Sequence, residues 1–93
     1  MPLFALSCID KPNSLEVRMG ARQDHLAWVG GTGMLKLGGP YLDEKGDMAG
    51  SLMIIEAEDL AAAKAFNAND PYTKAGLWQS VDIRPFRTTF GQI

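Results

Sequence analysis

The sequence has one cysteine and one histidine among its 93 residues. A lone thiol, Cys8, cannot close a disulfide within the chain, and Cys8 with His25 falls short of the about four ligands that a structural zinc site needs. No apolar run approaches the ~20 residues of a membrane-spanning helix. The opening Met1-Pro2-Leu3-Phe4-Ala5 lacks the basic start and long apolar stretch of a secretory signal. Positive charge is not in excess either: a net charge of -2 argues against nucleic acid or an anionic membrane as partner. A reducing cytoplasm is the expected location. These absences also remove the usual supports of a small domain, because a chain this short hides only ~60–65% of the surface that it exposes when unfolded. A second subunit is the expected support.

What is present reads as one globular domain spanning residues 1–93, at 46% hydrophobic and 22% charged. Leu3 to Ile9 is a first strand, apolar on both faces and so expected to be buried on both. Asn13 or Ser14 caps a helix whose apolar stripe runs Leu15, Met19, Arg22, Leu26, Val29, and Gly30-Gly31 ends it. A second strand covers Met34 to Leu37 and stops at Gly38-Gly39-Pro40. The polar Asp43-Glu44-Lys45-Gly46-Asp47 is a hairpin loop leading into a third strand, Gly50 to Ala57. Asp59 caps a second helix, with Leu60, Ala63 and Phe66 on one side, and Asn69-Asp70-Pro71 breaks it. The last strand runs from Trp78 to about Phe86, with Trp78, Ser80, Asp82 and Arg84 sharing a face.

This order is β-α-β-β-α-β, the ferredoxin-like α+β sandwich: a four-stranded antiparallel sheet with two helices on one face. Two helices leave the other face of the sheet uncovered. Packing two such faces together would hide their apolar part, enclose a polar cleft with Trp78 in it, and give dimer and site one common cause.

His25 is the one side chain of a type that titrates near neutrality, and Arg22 lies one turn before it on the same side of the helix. The pair reads as a general acid/base beside an anion-binding guanidinium, or as an exposed histidine beside an exposed arginine. Asp70 before Pro71 and Tyr72 starts a short helical turn, and its carboxylate could also orient His25. Gly38-Gly39-Pro40 permits close approach of backbone to a ligand, or simply ends a strand. Ser51 could donate a hydrogen bond into a cleft. Cys8 reads as a small core residue. Two tempting motifs fail. Lys36 stands where the third glycine of a dinucleotide loop belongs, and Ile54 where the closing glutamate of a calcium loop belongs.

Taken in order, Arg22-Gln23-Asp24-His25-Leu26, Leu37-Gly38-Gly39-Pro40, Gly46 with Gly50-Ser51-Leu52, Asn69-Asp70-Pro71-Tyr72 and Val81-Asp82-Ile83-Arg84-Pro85-Phe86 resemble the YCII-related (YciI-like) family across nearly the whole chain. The resemblance implies a dimeric α+β barrel and an active site built on a histidine–aspartate pair, here His25 and Asp70. It implies kinship with aromatic-compound enzymes, one of them a dehydrochlorinase of a chlorinated hydroxyquinol. The expected activity is cofactor-independent, lyase-like proton transfer on a small phenolic substrate. His25 and Asp70 are then the catalytic pair. Arg22, Gly39, Pro40, Ser51, Tyr72 and Trp78 line the substrate site, and no metal is bound. The competing expectations are a dimer that binds a small molecule without chemistry and a purely structural dimer.

Overall fold

The computed structural model describes residues 1–93. Four strands and three helices follow in the order β1 (Leu3–Asp10), α1 (Leu15–Thr32), β2 (Leu35–Leu42), β3 (Met48–Glu56), α2 (Leu60–Asn69), α3 (Pro71–Lys74) and β4 (Trp78–Phe86). The strands form one antiparallel sheet in the order β2-β3-β1-β4, so β1 and β3 are central and β2 and β4 are edges. This is the ferredoxin-like arrangement.

Alternation along the central strands decides which side is the core. Phe4, Leu6, Cys8 and Asp10 are buried on one face of β1, and Ser51, Met53 and Ile55 sit beside them on β3. Val29 of α1, with Ala63 and Phe66 of α2, packs onto this side. Leu6 and Ile55 are wholly buried, and each such side chain contributes about 1.5–3 kcal/mol relative to exposure. Leu3, Ala5, Ser7 and Ile9 point to the opposite side, where Ile9 is 42% exposed. The expectation that both faces of this strand are buried is therefore corrected: the second face is open in the single chain. On it Tyr41 reaches across Gly50 to Ser7, hydroxyl to hydroxyl at 2.9 Å. A Cβ on Gly50 would lie 2.9 Å from the Tyr41 ring, so only glycine lets that ring cross.

Four local readings change. The buried residues of α1 are Arg18, His25 and Val29, whereas Leu15, Met19 and Leu26 are 41–52% exposed, so of the expected apolar stripe only Val29 is buried. The helix runs through Gly30-Gly31 to Thr32 and turns off at Gly33, whose φ of 67° is left-handed. The Thr32 hydroxyl donates to the Val29 carbonyl and accepts from the Met34 amide, which extends the end of α1. Gly38-Gly39-Pro40 does not stop β2. It is an edge strand, where proline is tolerated, and it continues to Leu42. Finally, a register shift after Ile9 pairs Asp10 with Trp78 and skips Gln79, which turns Trp78 to the helix side. Ser80, Asp82 and Arg84 stay on the open face without it.

The other breaks follow the sequence closely. The Asp43 carboxylate accepts from the Lys45 and Asp47 amides, and Gly46 takes φ 87° at the hairpin apex. Asp59 caps α2 by accepting from the Ala62 amide at 2.8 Å. Ser14 precedes α1 without a capping hydrogen bond from its side chain.

Candidate active site

Asp70 ends α2 and begins α3, and Pro71 after it fixes that break. Its Oδ1 accepts from the Tyr72 amide at 2.9 Å, the expected cap. The same oxygen lies 2.8 Å from His25 Nδ1, so one atom serves both contacts. Asp70 Oδ2 is buried with no hydrogen-bond partner. Asp70 is wholly buried and His25 is 8% exposed. Because a carboxylate only accepts, Nδ1 carries the hydrogen between them, and in the neutral imidazole Nε2 is left as a bare acceptor.

Tyr72 stacks on His25, with ring centroids 4.1 Å apart and planes 15° from parallel. Arg18, two turns before His25 on α1, places its guanidinium carbon 4.7 Å from the same Tyr72 ring. Its Nε and Nη2 hold both oxygens of Asp10 at 2.8 and 3.0 Å, and Nη2 also donates to Ser51 Oγ at 2.9 Å. Arg18 is 2% exposed. Burial alone would weaken its hold on the proton, but the hydrogen bonds and charge of Asp10 outweigh this and raise its pKa. For Tyr72, burial raises the pKa against the opposing charges of Arg18 and Arg22, so the phenol keeps its hydrogen.

These groups edge a cavity of about 120 Å³ between α1 and the helix side of β2 and β3. Of the residues expected to form a site, His25, Arg22, Gly39, Pro40, Ser51 and Tyr72 line it. Asp70 stands behind His25. Trp78 does not line it. The indole packs edge-on against Tyr72 at 5.6 Å and donates to the Thr73 hydroxyl, so its place in a cleft is corrected. The expected common cause of cleft and dimer is corrected with it, since the cavity lies on the helix side and the uncovered face on the other. Cys8 is buried, and burial with the nearby Asp70 charge pushes its pKa up to about 12. An inert thiol results.

Arg18 and Asp10 were missed by pattern alone. The available signal was period two: Asp10 follows Phe4, Leu6 and Cys8 on the core face, and a buried carboxylate there requires a cation. No group of three or more His, Cys, Asp or Glu side chains lies together to hold a metal. No helix is long and apolar enough to cross a membrane.

The model of the YCII-related domain matches residues 2–87. The chain belongs to this family. It is 36% identical over 97 residues to protein YciI of Escherichia coli, covering 95% of this chain and 99% of that one. It is equally 36% identical to an uncharacterised protein of Haemophilus influenzae, over 94% and 98% of the two chains. Among solved structures it superposes with a TM-score of 0.84 on 5-chloro-2-hydroxyhydroquinone dehydrochlorinase, TftG, from Burkholderia phenoliruptrix, determined with 2,5-dihydroxybenzoquinone. The identity there is 35%, over 91% of this chain and 93% of that one. An antibiotic biosynthesis monooxygenase superposes at 0.60 with 15% identity, which concerns the fold alone.

Proposed function

We propose that this YciI-like protein is a cofactor-independent enzyme that uses His25 and Asp70 for acid/base, lyase-like chemistry on a small phenolic ring. The observation that carries the reading is the 2.8 Å contact of His25 Nδ1 with a buried Asp70, behind a cavity that His25 lines. Asp70 holds the imidazole in one tautomer, so that Nε2 faces substrate as a base. The volume of about 120 Å³ suits one ring, since a cavity of about 150 Å³ holds benzene. Kinship with a dehydrochlorinase of a chlorinated hydroxyhydroquinone at 35% identity supports the substrate class.

Loss of hydrogen chloride from such a ring is redox-neutral. His25 takes the proton of one phenolic oxygen and delivers it to the chlorine-bearing carbon, then takes a second phenolic proton as chloride leaves, so that one proton and one chloride are lost and the ring becomes a quinone. Arg22 holds an anionic oxygen, Gly39 and Pro40 form the backbone wall, and Tyr72 backs the imidazole. The protein works as a cytoplasmic homodimer through the open sheet face, where Leu37, Ile9 and Phe86 are 50, 42 and 41% exposed.

Chloride release from 5-chloro-2-hydroxyhydroquinone and related chlorophenols tests this. Wild type should turn over at least one of them, and His25→Gln should lose roughly 10²-fold or more. Equal rates for the two proteins on every compound would remove the enzyme reading and leave a ligand-binding dimer. Light scattering on the same samples should give twice the 10.1 kDa chain mass. A monomer would remove the sheet-face dimer.

A further inference from the structure

The hydrogen bond from Arg18 to Ser51 has a consequence for what the cavity accepts. An arginine only donates, so Ser51 Oγ must use a lone pair to accept from Nη2 at 2.9 Å. Arg18 is 2% exposed and held by both oxygens of Asp10, so this partner cannot turn away. The serine hydrogen is thereby directed away from Arg18, and Ser51 lines the cavity. Arg22, which makes no ion pair within the chain, brings further donors to the same cavity from α1. His25 also lines it and, its Nδ1 committed to Asp70, offers Nε2 as an acceptor when neutral. The cavity thus sets one accepting imidazole among several donors.

We infer that Arg18 is a specificity-determining positioning residue. By fixing Ser51 as a donor, it makes the cavity select rings that carry both a hydroxyl and a hydrogen-free oxygen, a carbonyl or an oxyanion. The hydroxyl faces His25 Nε2 and the bare oxygen faces Ser51 and Arg22. A diol is disfavoured because its second hydroxyl, while accepting from these donors through its lone pairs, leaves its own hydrogen without an acceptor. This rests on the cavity being the substrate site, as proposed above, but it concerns equilibrium binding and not turnover.

Calorimetry tests it with two pairs of ligands. Maltol is compared with catechol, and 4-hydroxyacetophenone with hydroquinone; the pairs differ in whether the two oxygens are adjacent or opposite. At least one hydroxy-carbonyl ring should bind roughly tenfold more tightly than its diol. Ser51→Ala, which keeps the Arg18–Asp10 pair, should erase that preference by weakening the carbonyl ligand. The double variant Arg18→Met/Asp10→Leu replaces the buried pair by apolar groups and frees the serine rotor. It should reduce the preference to about threefold or less through tighter diol binding. Diols bound as tightly as hydroxy-carbonyls by wild type, or a preference that survives Ser51→Ala, would overturn the inference. Turnover that depends on His25 in the face of such results would leave the enzyme reading standing. Selective binding without turnover would do the reverse.

Discussion

Helix α1 contributes two buried cations or potential cations, seven residues apart, and each meets a buried aspartate. The two pairs are built differently. Around Asp10 both oxygens accept from Arg18, whose remaining reach goes to Ser51. Around Asp70 one oxygen takes both the His25 contact and the Tyr72 amide, and the other has no partner. A buried polar group without a hydrogen bond costs stability. The first pair is closed and holds the wall in place. The second leaves one carboxylate oxygen without a partner, behind the histidine that lines the cavity. Tyr72 stands against both, 4.7 Å from the Arg18 guanidinium and 4.1 Å from the His25 ring.

The largest effect should come from breaking the closed pair. Arg18→Met alone leaves the Asp10 carboxylate buried and uncompensated, at a cost of about 3–5 kcal/mol in urea unfolding. Arg18→Met/Asp10→Leu should recover most of that loss, because an apolar replacement of a buried pair is often neutral. A single variant as stable as wild type would show that the pair is dispensable.

The next effect lies between the pairs. Cys8 is raised from its ordinary 9.0 to about 12, first by burial and then by the charge of Asp70, with Arg18 opposing. Its folded pKa is above its unfolded one, so the unfolded chain gives up the proton first as pH rises. The associated stability is complete below about pH 9 and is lost towards about pH 12. Denaturation midpoints followed over that window should fall by on the order of 3 kcal/mol more in wild type than in Cys8→Ala. Parallel curves would mean that the thiol titrates in the folded protein as it does in the unfolded one.

Comparing the pairs also shows what a sequence can disclose. The strand and helix order, the Asp43–Asp47 hairpin and the break at Asp70-Pro71 are local: period, cap and turn chemistry act within a few residues. The His25 and Asp70 contact spans 45 positions; the residues offered it only as one of two readings of Asp70, and family resemblance favoured it. Arg18 stayed hidden because an apolar pattern scores a buried arginine as a surface residue. The same scoring favoured Leu15, Met19 and Leu26, which lie exposed on the helix. Trp78 was misplaced by one skipped residue, since a bulge reverses every facing before it and leaves no mark in composition.

The smallest expected effect on stability gives the sharpest contrast. The same Asp→Asn exchange is isosteric at both positions. At Asp10 it puts an amide hydrogen against Arg18 donors and removes the compensating charge, so it should cost several kcal/mol, as a broken buried pair does. At Asp70 an asparagine oxygen can still cap Tyr72 and face His25 Nδ1, and asparagine caps helices about as well as aspartate. The amide nitrogen would take the place of an oxygen that has no partner. Asp70→Asn should therefore shift the urea midpoint by less than about 1 kcal/mol in either direction. Chloride release should nevertheless fall, since the charge that stabilises a protonated His25 is gone. A cost at Asp70 equal to that at Asp10 would make both pairs structural supports and would remove the reason for placing the chemistry at only one of them.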